Sequence, residues 1–338
     1  MKKVSLVLLV LAMSCVALFA SGAKEGVNAD FQTLLDGEKA PVDVRVLAMK
    51  GPTAMGMVSL MEEAKKGVMD GNAYIFDDLA TIDVVVAKLA KGEVDIAAIP
   101  ANLSSVLFNN TKGALKVLAI NTLGVLYIME SGDSIKSIED LAGKTIFSTG
   151  KGASPEYALK YLLNAYGVKD VTIEWKSETV ECVAALAQKP NSIAVLPQPF
   201  ATAAMMKDPT IRVALDMTKL WEDIQGSQPF PSTMMTGVVV AQTSFVEKQP
   251  EAVSKFLDHY ADSVAYVLSN QEEAARLIGA LEIVPAPVAL KALPFCNITY
   301  IDGTEMKTKL SGYLKVLYDQ NPKSVGGALP TDDFYFIR

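Results

Sequence analysis

The sequence predicts an α/β protein built on two sheets. Strand-like and helix-like runs alternate along most of its 338 residues, and the alternation falls into two successive series. About half of the residues are apolar, enough for a large core and more comfortably two domains than one. Repeated β–α alternation implies largely parallel sheets with helices on both faces.

The first series opens with the β-branched run "VDVRVLAM" (42–49), a strand, followed by "GPTAMG" and an amphipathic helix through residue 66. "TIDVVVAKLAKGEVDIAAIP" reads as a helix over 81–91, a stop at Gly92 and a buried strand over 94–99. "ANLSSVLFNN" opens another helix with Asn102 as its N-cap, and "ALKVLAI" and "GVLYIME" are strands. The second series places strands at 145–148, 171–175, 193–196 and 211–215, with helices at 154–166, 178–188 and 200–206 between them. "MTGVVVAQ" is one more strand, and residues 249–320 read as mostly helical.

The N-terminus is of a different kind. Lys2 and Lys3 precede an apolar run from Val4 to Ala20, and small residues follow, which is the pattern of a secretory signal. We expect a signal peptide over 1–23, an exposed leader over 24–40 and an exported protein. "LFAS" places Ser21 where a lipoprotein would carry its lipidated cysteine, which argues against lipidation. The balance of 31 basic against 38 acidic residues, with no basic run, excludes a nucleic-acid partner. Beyond the signal, Cys182 and Cys296 make no disulfide framework. The single histidine, His259, has no partner spacing for a zinc site or a catalytic triad, and it reads as a helix-surface or half-buried residue. No cofactor, metal or catalytic residue is expected.

In open α/β sheets, ligands sit beyond the carboxyl ends of strands, where helix starts present free N–H groups. Four such junctions stand out: "KGPTAMG" (50–56), "IPANLS" (99–104), "STGKGASPE" (148–156) and "LPQPFAT" (196–202). A nucleotide loop is excluded at the third, because Gly150-Lys151 is followed by Gly152 where a P-loop needs Ser or Thr. There Ser154 reads as an N-cap and Pro155 as the first helical residue, and Glu156 already puts a negative charge on the first turn. The junction suits a small, weakly charged solute. The candidate ligand-binding residues are Gly51, Pro52, Thr53 and Met55; Asn102; Ser148, Thr149, Gly150, Lys151, Gly152 and Ser154; and Pro199 and Phe200. Hydroxyls, one amide and open glycine backbone would bind polar groups, and Met55 and Phe200 would supply apolar walls.

The segments "VRVLAMKGPTAMG", "LAKGEVDIAAIP", "SIKSIEDLAGKTIFSTGKGASPEYALKYLL" and "GVVVAQTSFVEKQPEAVSKFLDHYADSVAYV" resemble the solute-binding proteins of ABC importers in the nitrate/sulfonate/taurine group, which also holds binders of thiamine-precursor pyrimidines. The resemblance implies a type II periplasmic-binding-protein fold with crossovers at 125–130 and 235–240. Lobe one would comprise 41–125 plus 238–338, and lobe two 126–237. It also implies a monomer that hands a small solute to a membrane permease and its ATPase. Enzymes on the same fold, acting on pyrimidines or chorismate-like acids, and a ligand carrier for a sensor are the alternatives. Two departures bear on the ligand. "SIAVLPQPFATA" stands where many relatives carry G-x-V-D-A, and Lys50 and Lys151 are the only cations in the junctions. The ligand class of the relatives therefore does not carry over. With Cys182 and Cys296 in different lobes, both are expected as free thiols.

Overall fold

Alternating valines make the first strand, β1 (Val42–Ala48), which turns Val44 and Val46 to one face and Arg45 to the other. Arg45 grips Asp95 two-handed, with Nε–Oδ2 and Nη2–Oδ1 separations of 2.9 and 2.6 Å. The structure is a computed structural model and describes residues 40–227 and 232–338, of which Val42–Arg338 form one unit. The expected signal peptide and all but the last residue of the leader lie outside the described residues.

After β1 come α1 (Pro52–Met55), α2 (Val58–Ala64), β2 (Asn72–Phe76), α3 (Ile82–Lys91), β3 (Ile96–Pro100), α4 (Ala101–Asn110) and β4 (Leu115–Leu123). The second series runs β5 (Leu126–Ser131), β6 (Thr145–Ser148), α5 (Ser154–Ala165), β7 (Thr172–Trp175), α6 (Thr179–Gln188), β8 (Ile193–Pro197), α7 (Phe200–Lys207), β9 (Ile211–Asp216) and α8 (Met217–Gln225). The return comprises β10 (Met235–Gln242), α9 (Thr243–Lys248), α10 (Pro250–Ser269), α11 (Gln271–Ala280), α12 (Ala286–Ala292), β11 (Ile298–Asp302) and α13 (Gly303–Gln320).

These strands form two sheets, in the orders β11-β4-β10-β3-β1-β2 and β7-β6-β8-β5-β9. The expectation of largely parallel sheets needs correction. β1 pairs in parallel with β2 and β3, and β6 with β7 and β8. The strands next to the two passages between sheets run the other way. β10 is antiparallel to β3 and β4, and β5 is antiparallel to β8 and β9. A strand that arrives from the other sheet enters without a helical crossover of its own, so nothing forces the parallel sense.

Four elements lie outside the sequence reading. β2 and β11 are short strands at the two edges of the first sheet, α8 follows β9, where the series was expected to close, and α9 fills the interval between β10 and the helical run expected from residue 249. The helix expected after "GPTAMG" is α2, and that segment itself forms the short α1, separated from α2 at Gly56. A Cβ there would stand 3.1 Å from each of Tyr260 Oη, Ile298 Cγ2 and Val264 Cγ2, so α10 packs where a side chain would be. The Ser263 hydroxyl bridges the break, donating to Gly56 O at 2.8 Å and accepting from Leu60 N at 3.0 Å. On α10 the buried Val253, Phe256, Leu257, Tyr260, Val264 and Val267 recur at helical spacing. Each such aliphatic or aromatic side chain contributes about 1.5–3 kcal/mol on burial.

Cys182 and Cys296 are buried free thiols in separate clusters of core residues. Burial pushes their pKa values up, to about 11 and about 12. His259 is half-buried. Its Nδ1 lies 2.7 Å from Tyr74 Oη and its Nε2 2.9 Å from Asp70 Oδ2, so the imidazole ties α10 to the turn before β2.

Gly237 in β10 is a second position where only hydrogen fits. A Cβ would collide with Thr53 Cγ2 and stand 2.5 Å from Asn121 Oδ1. That close approach lets Asn121 Nδ2 donate to Thr53 O at 3.0 Å. Gly237→Ala is expected to lower stability by about 1–3 kcal/mol, the usual cost of overpacking, read as a reduced denaturation midpoint at unchanged m-value.

Candidate ligand-binding site

A cavity of about 360 Å³ lies between the two sheets. Its walls come from four places. The first series contributes Ile82, Pro100, Asn102 and Leu103; the second contributes Ser148, Thr149 and the start of α5, with Val195 and Pro197 from β8. The two passages between sheets supply Val125 and Leu126 on one side and Met234, Met235 and Thr236 on the other, and α13 reaches in with Tyr313. A larger hollow of about 610 Å³ opens at the β2 edge beside Lys50, Asp77 and Glu282, but the described residues that line it come from the first series and the return alone. The cavity between the sheets is the stronger candidate, because elements of both sheets converge on it.

Its polar groups are held by tertiary contacts. Neither Asn102 nor Ser154 caps its own helix, contrary to the expectation. α4 begins at Ala101 after Pro100, and α5 begins at Ser154 after Ala153. Both side chains turn away from their helix starts and meet each other. Ser154 Oγ donates to Asn102 Oδ1 at 2.9 Å, and Asn102 Nδ2 donates to Ser324 O at 3.2 Å. Tyr313 also lies against Ser154. Burial drives the phenol pKa up to about 12, with the Ser154 hydrogen bond pulling the other way, so Tyr313 stays protonated at neutral pH. Ser148 Oγ donates to Thr149 O at 3.1 Å.

Behind the 148–156 turn sits Glu156. Its Oε2 accepts from Gly152 N and its Oε1 from Lys160 Nζ, both at 2.5 Å. Burial opposes ionisation of this carboxyl, but Lys160 and the Gly152 amide outweigh it and the pKa is lowered.

Of the candidate residues, the cavity brings together Asn102, Ser148, Thr149 and Ser154. Thr53 and Met55 are fully buried, and Thr53 Oγ1 donates to Met49 O at 3.1 Å. Gly51 and Pro52 start α1 beside them, without lining the cavity. Gly150 and Gly152 both hold φ of +79°, the left-handed region that glycine tolerates, and Lys151 between them is exposed. Pro199 is buried, and Phe200, 37 % exposed, lines a separate groove with Val180 and Val183 between α6 and α7. Thr236 and Tyr313 were not among the sequence candidates. Thr236 opens the return strand "MTGVVV", and proximity to a crossover was a usable signal. Tyr313 lies inside a long helix that offers none.

Among the described residues, no group of three or more His, Cys, Asp or Glu side chains could hold a metal ion, and no helix is long and apolar enough to cross a membrane. No curated protein matches the chain in sequence. Solved structures do resemble it. An ABC transporter from Parabacteroides distasonis superposes with a TM-score of 0.72 at 22% identity, covering 86% of this chain and 98% of that one. The periplasmic aliphatic sulphonate-binding protein SsuA from Escherichia coli gives 0.70 at 18% identity, covering 88% and 92%. The alkanesulfonate-binding protein SsuA from Xanthomonas axonopodis pv. citri, bound to MOPS, gives 0.61 at 13% identity, covering 86% and 95%. At such identities the likeness establishes the fold, that of periplasmic binding proteins. The family described as NMT1/THI5 like matches residues 85–274, more than half of the sequence, and the chain belongs to that family.

Proposed function

We propose that the protein is the solute-binding component of an ABC importer. It captures a small organic solute between two lobes, 41–125 plus 238–338 and 126–237, and delivers it outside the cytoplasm to a permease and its ATPase. The observation that carries this reading is the cavity of about 360 Å³, walled by both sheets and by the two chain passages that join them. Passages of that kind can act as hinges, so closure around a solute is available to the fold. The printed functions of the structural relatives, binding of aliphatic sulphonates and alkanesulfonates, support the same role.

Binding without catalysis is supported by the lining. Among the described residues, Tyr313 is the one titratable side chain on the cavity wall, and its raised pKa makes it a poor general base near neutrality. Asn102, Ser148, Thr149 and Ser154 are the sequence candidates we assign to the solute, together with Thr236 and Tyr313.

Mass spectrometry of small molecules retained by the purified protein should identify the solute. Added back at ~100 times its dissociation constant, it should stabilise the fold by roughly 2.7 kcal/mol, seen as a raised Tm, and be recovered unchanged. Recovery of a chemically altered product with turnover would overturn the reading.

A further inference from the structure

The cavity is unlike a site for a charged ligand. Among the described residues, no Lys, Arg, His, Asp or Glu side chain lines it. Its wall is dominated by Ile82, Leu103, Leu126, Val195, Met234 and Met235. A charge moved from water into such surroundings loses its hydration and gains no ionic partner, which is costly at any ligand size.

Helix starts could in principle supply an anion site without a cationic side chain. Most of the 152–156 amides are already committed. Gly152 N donates to Glu156, Ala153 N to Gly150 O at 3.0 Å and Glu156 N to Ala153 O at 3.0 Å, and Pro155 has no N–H, which leaves Ser154 N in that stretch. Glu156 itself places a carboxylate at this turn, with its pKa lowered and its charge therefore present at neutral pH. An incoming anion would meet that charge and would have to displace its hydrogen bond to Gly152. The turn that looks most like an anion cradle in sequence is thus occupied by the chain's own carboxylate.

The remaining polar lining is neutral, and much of it is paired. Asn102 and Ser154 satisfy each other, and Ser148 bonds Thr149 O. Thr149 and Thr236 line the cavity, and neither hydroxyl has a partner among the described residues. They come from opposite walls, one from the turn after β6 and one from the return strand β10. A volume of about 360 Å³ falls in the range of small-molecule sites.

We propose that the solute is a small uncharged molecule, largely apolar, with one or two neutral polar groups that meet Thr149 and Thr236. This rests on the cavity being the solute site, and it narrows the ligand away from the sulfonates bound by the structural relatives.

Matched pairs that differ in charge and little else test it: benzenesulfonamide against benzenesulfonate, benzamide against benzoate, and hexanamide against hexanoate. Each is titrated at neutral pH into the full protein, stripped of retained solute, by calorimetry and by thermal shift. The neutral member of at least one pair should bind, and its anion should bind at least tenfold more weakly. Thr149→Val and Thr236→Val should each weaken the neutral ligand roughly two- to tenfold, the loss of one hydrogen bond. Leu103→Trp, which fills the cavity from α4, should abolish binding, with circular dichroism confirming that the variant is folded. Glu156→Gln should raise the affinity for the anions. An anion that binds as tightly as its neutral partner, and is blocked by Leu103→Trp, would overturn the charge assignment while leaving the solute site standing. Binding that survives Leu103→Trp in a folded protein, or no binding by any pair, would overturn both.

Discussion

Trp221→Ala should be among the most destabilising single substitutions in the protein, costing about 3–5 kcal/mol. Trp221 on α8 is fully buried, with its ring centroid 4.4 Å from that of Tyr161 and 5.6 Å from that of Tyr313. Its Nε1 donates to Ser232 Oγ at 2.9 Å. Around it Ser232 N donates to Gln225 Oε1 at 2.7 Å, and Gln225 Nε2 to Tyr161 Oη at 2.5 Å. Alanine would leave a void among three elements and strip Ser232 of a donor. Trp221→Phe keeps most of the packing and removes only the N–H, so its cost should be nearer 1 kcal/mol. Denaturant titration of both variants separates the two contributions. Because Tyr313 also lines the cavity, Trp221→Ala should weaken solute binding in whatever fraction remains folded.

A loss of about 3–5 kcal/mol is likewise expected when the buried charge pair of the second sheet is broken by Arg212→Ala. Glu130 on β5 has no exposed surface. Its carboxylate accepts from Arg212 Nη2 at 2.7 Å, from Ser134 N at 2.8 Å and from Ile135 N at 3.1 Å, and the Ser134 hydroxyl also donates to it. Arg212 is held in turn by Gly132 O at 2.9 Å and Ile135 O at 2.6 Å. Burial raises the Glu130 pKa, but the Ser134 and Ile135 donors and Arg212 more than offset it, and the net direction is down. A carboxyl depressed in the folded state stabilises it above the unfolded pKa, roughly 4.3. That contribution disappears as pH falls through the folded value. Glu130→Gln should therefore lose stability at neutral pH and show a shallower decline below pH ~4 than the parent. An identical acid limb in the two proteins would show that Glu130 titrates normally.

Much of the fold was legible because the core strands obey simple rules. "VDVRVLA" alternates, "DIAAIP" and "SIAVLP" are continuous apolar runs, and Gly92 ends α3 in a left-handed turn with φ of +68°. β2 and β11 escaped because an edge strand has one neighbour, so "NAYIF" and "ITYID" need neither length nor full apolarity. The antiparallel placement of β10 is a tertiary fact with no local signature. At the site, Asn102 and Ser154 were legible as polar residues at helix starts. Their roles were not, because the partner that turns each from its own helix lies on another element. Thr53 and Met55 carry the right chemistry for a pocket wall, but Gly237 lets β10 close over Thr53, and Met55 is sealed in the core.

The position of β10 between β3 and β4 has a consequence for the growing chain. Both neighbours of β4, the strands β10 and β11, are encoded after it and after the whole second series. The second sheet draws its strands only from Leu126 to Asp216, and can close as soon as that stretch is made. The first sheet cannot. Until residues 235–242 arrive, "LKVLAINTL" has two bare edges, and its later registry with β10 joins residues far apart in sequence. A chain that stops short of β10 therefore carries an apolar β-segment with no native partner, and it should aggregate through that segment even though its second sheet has formed.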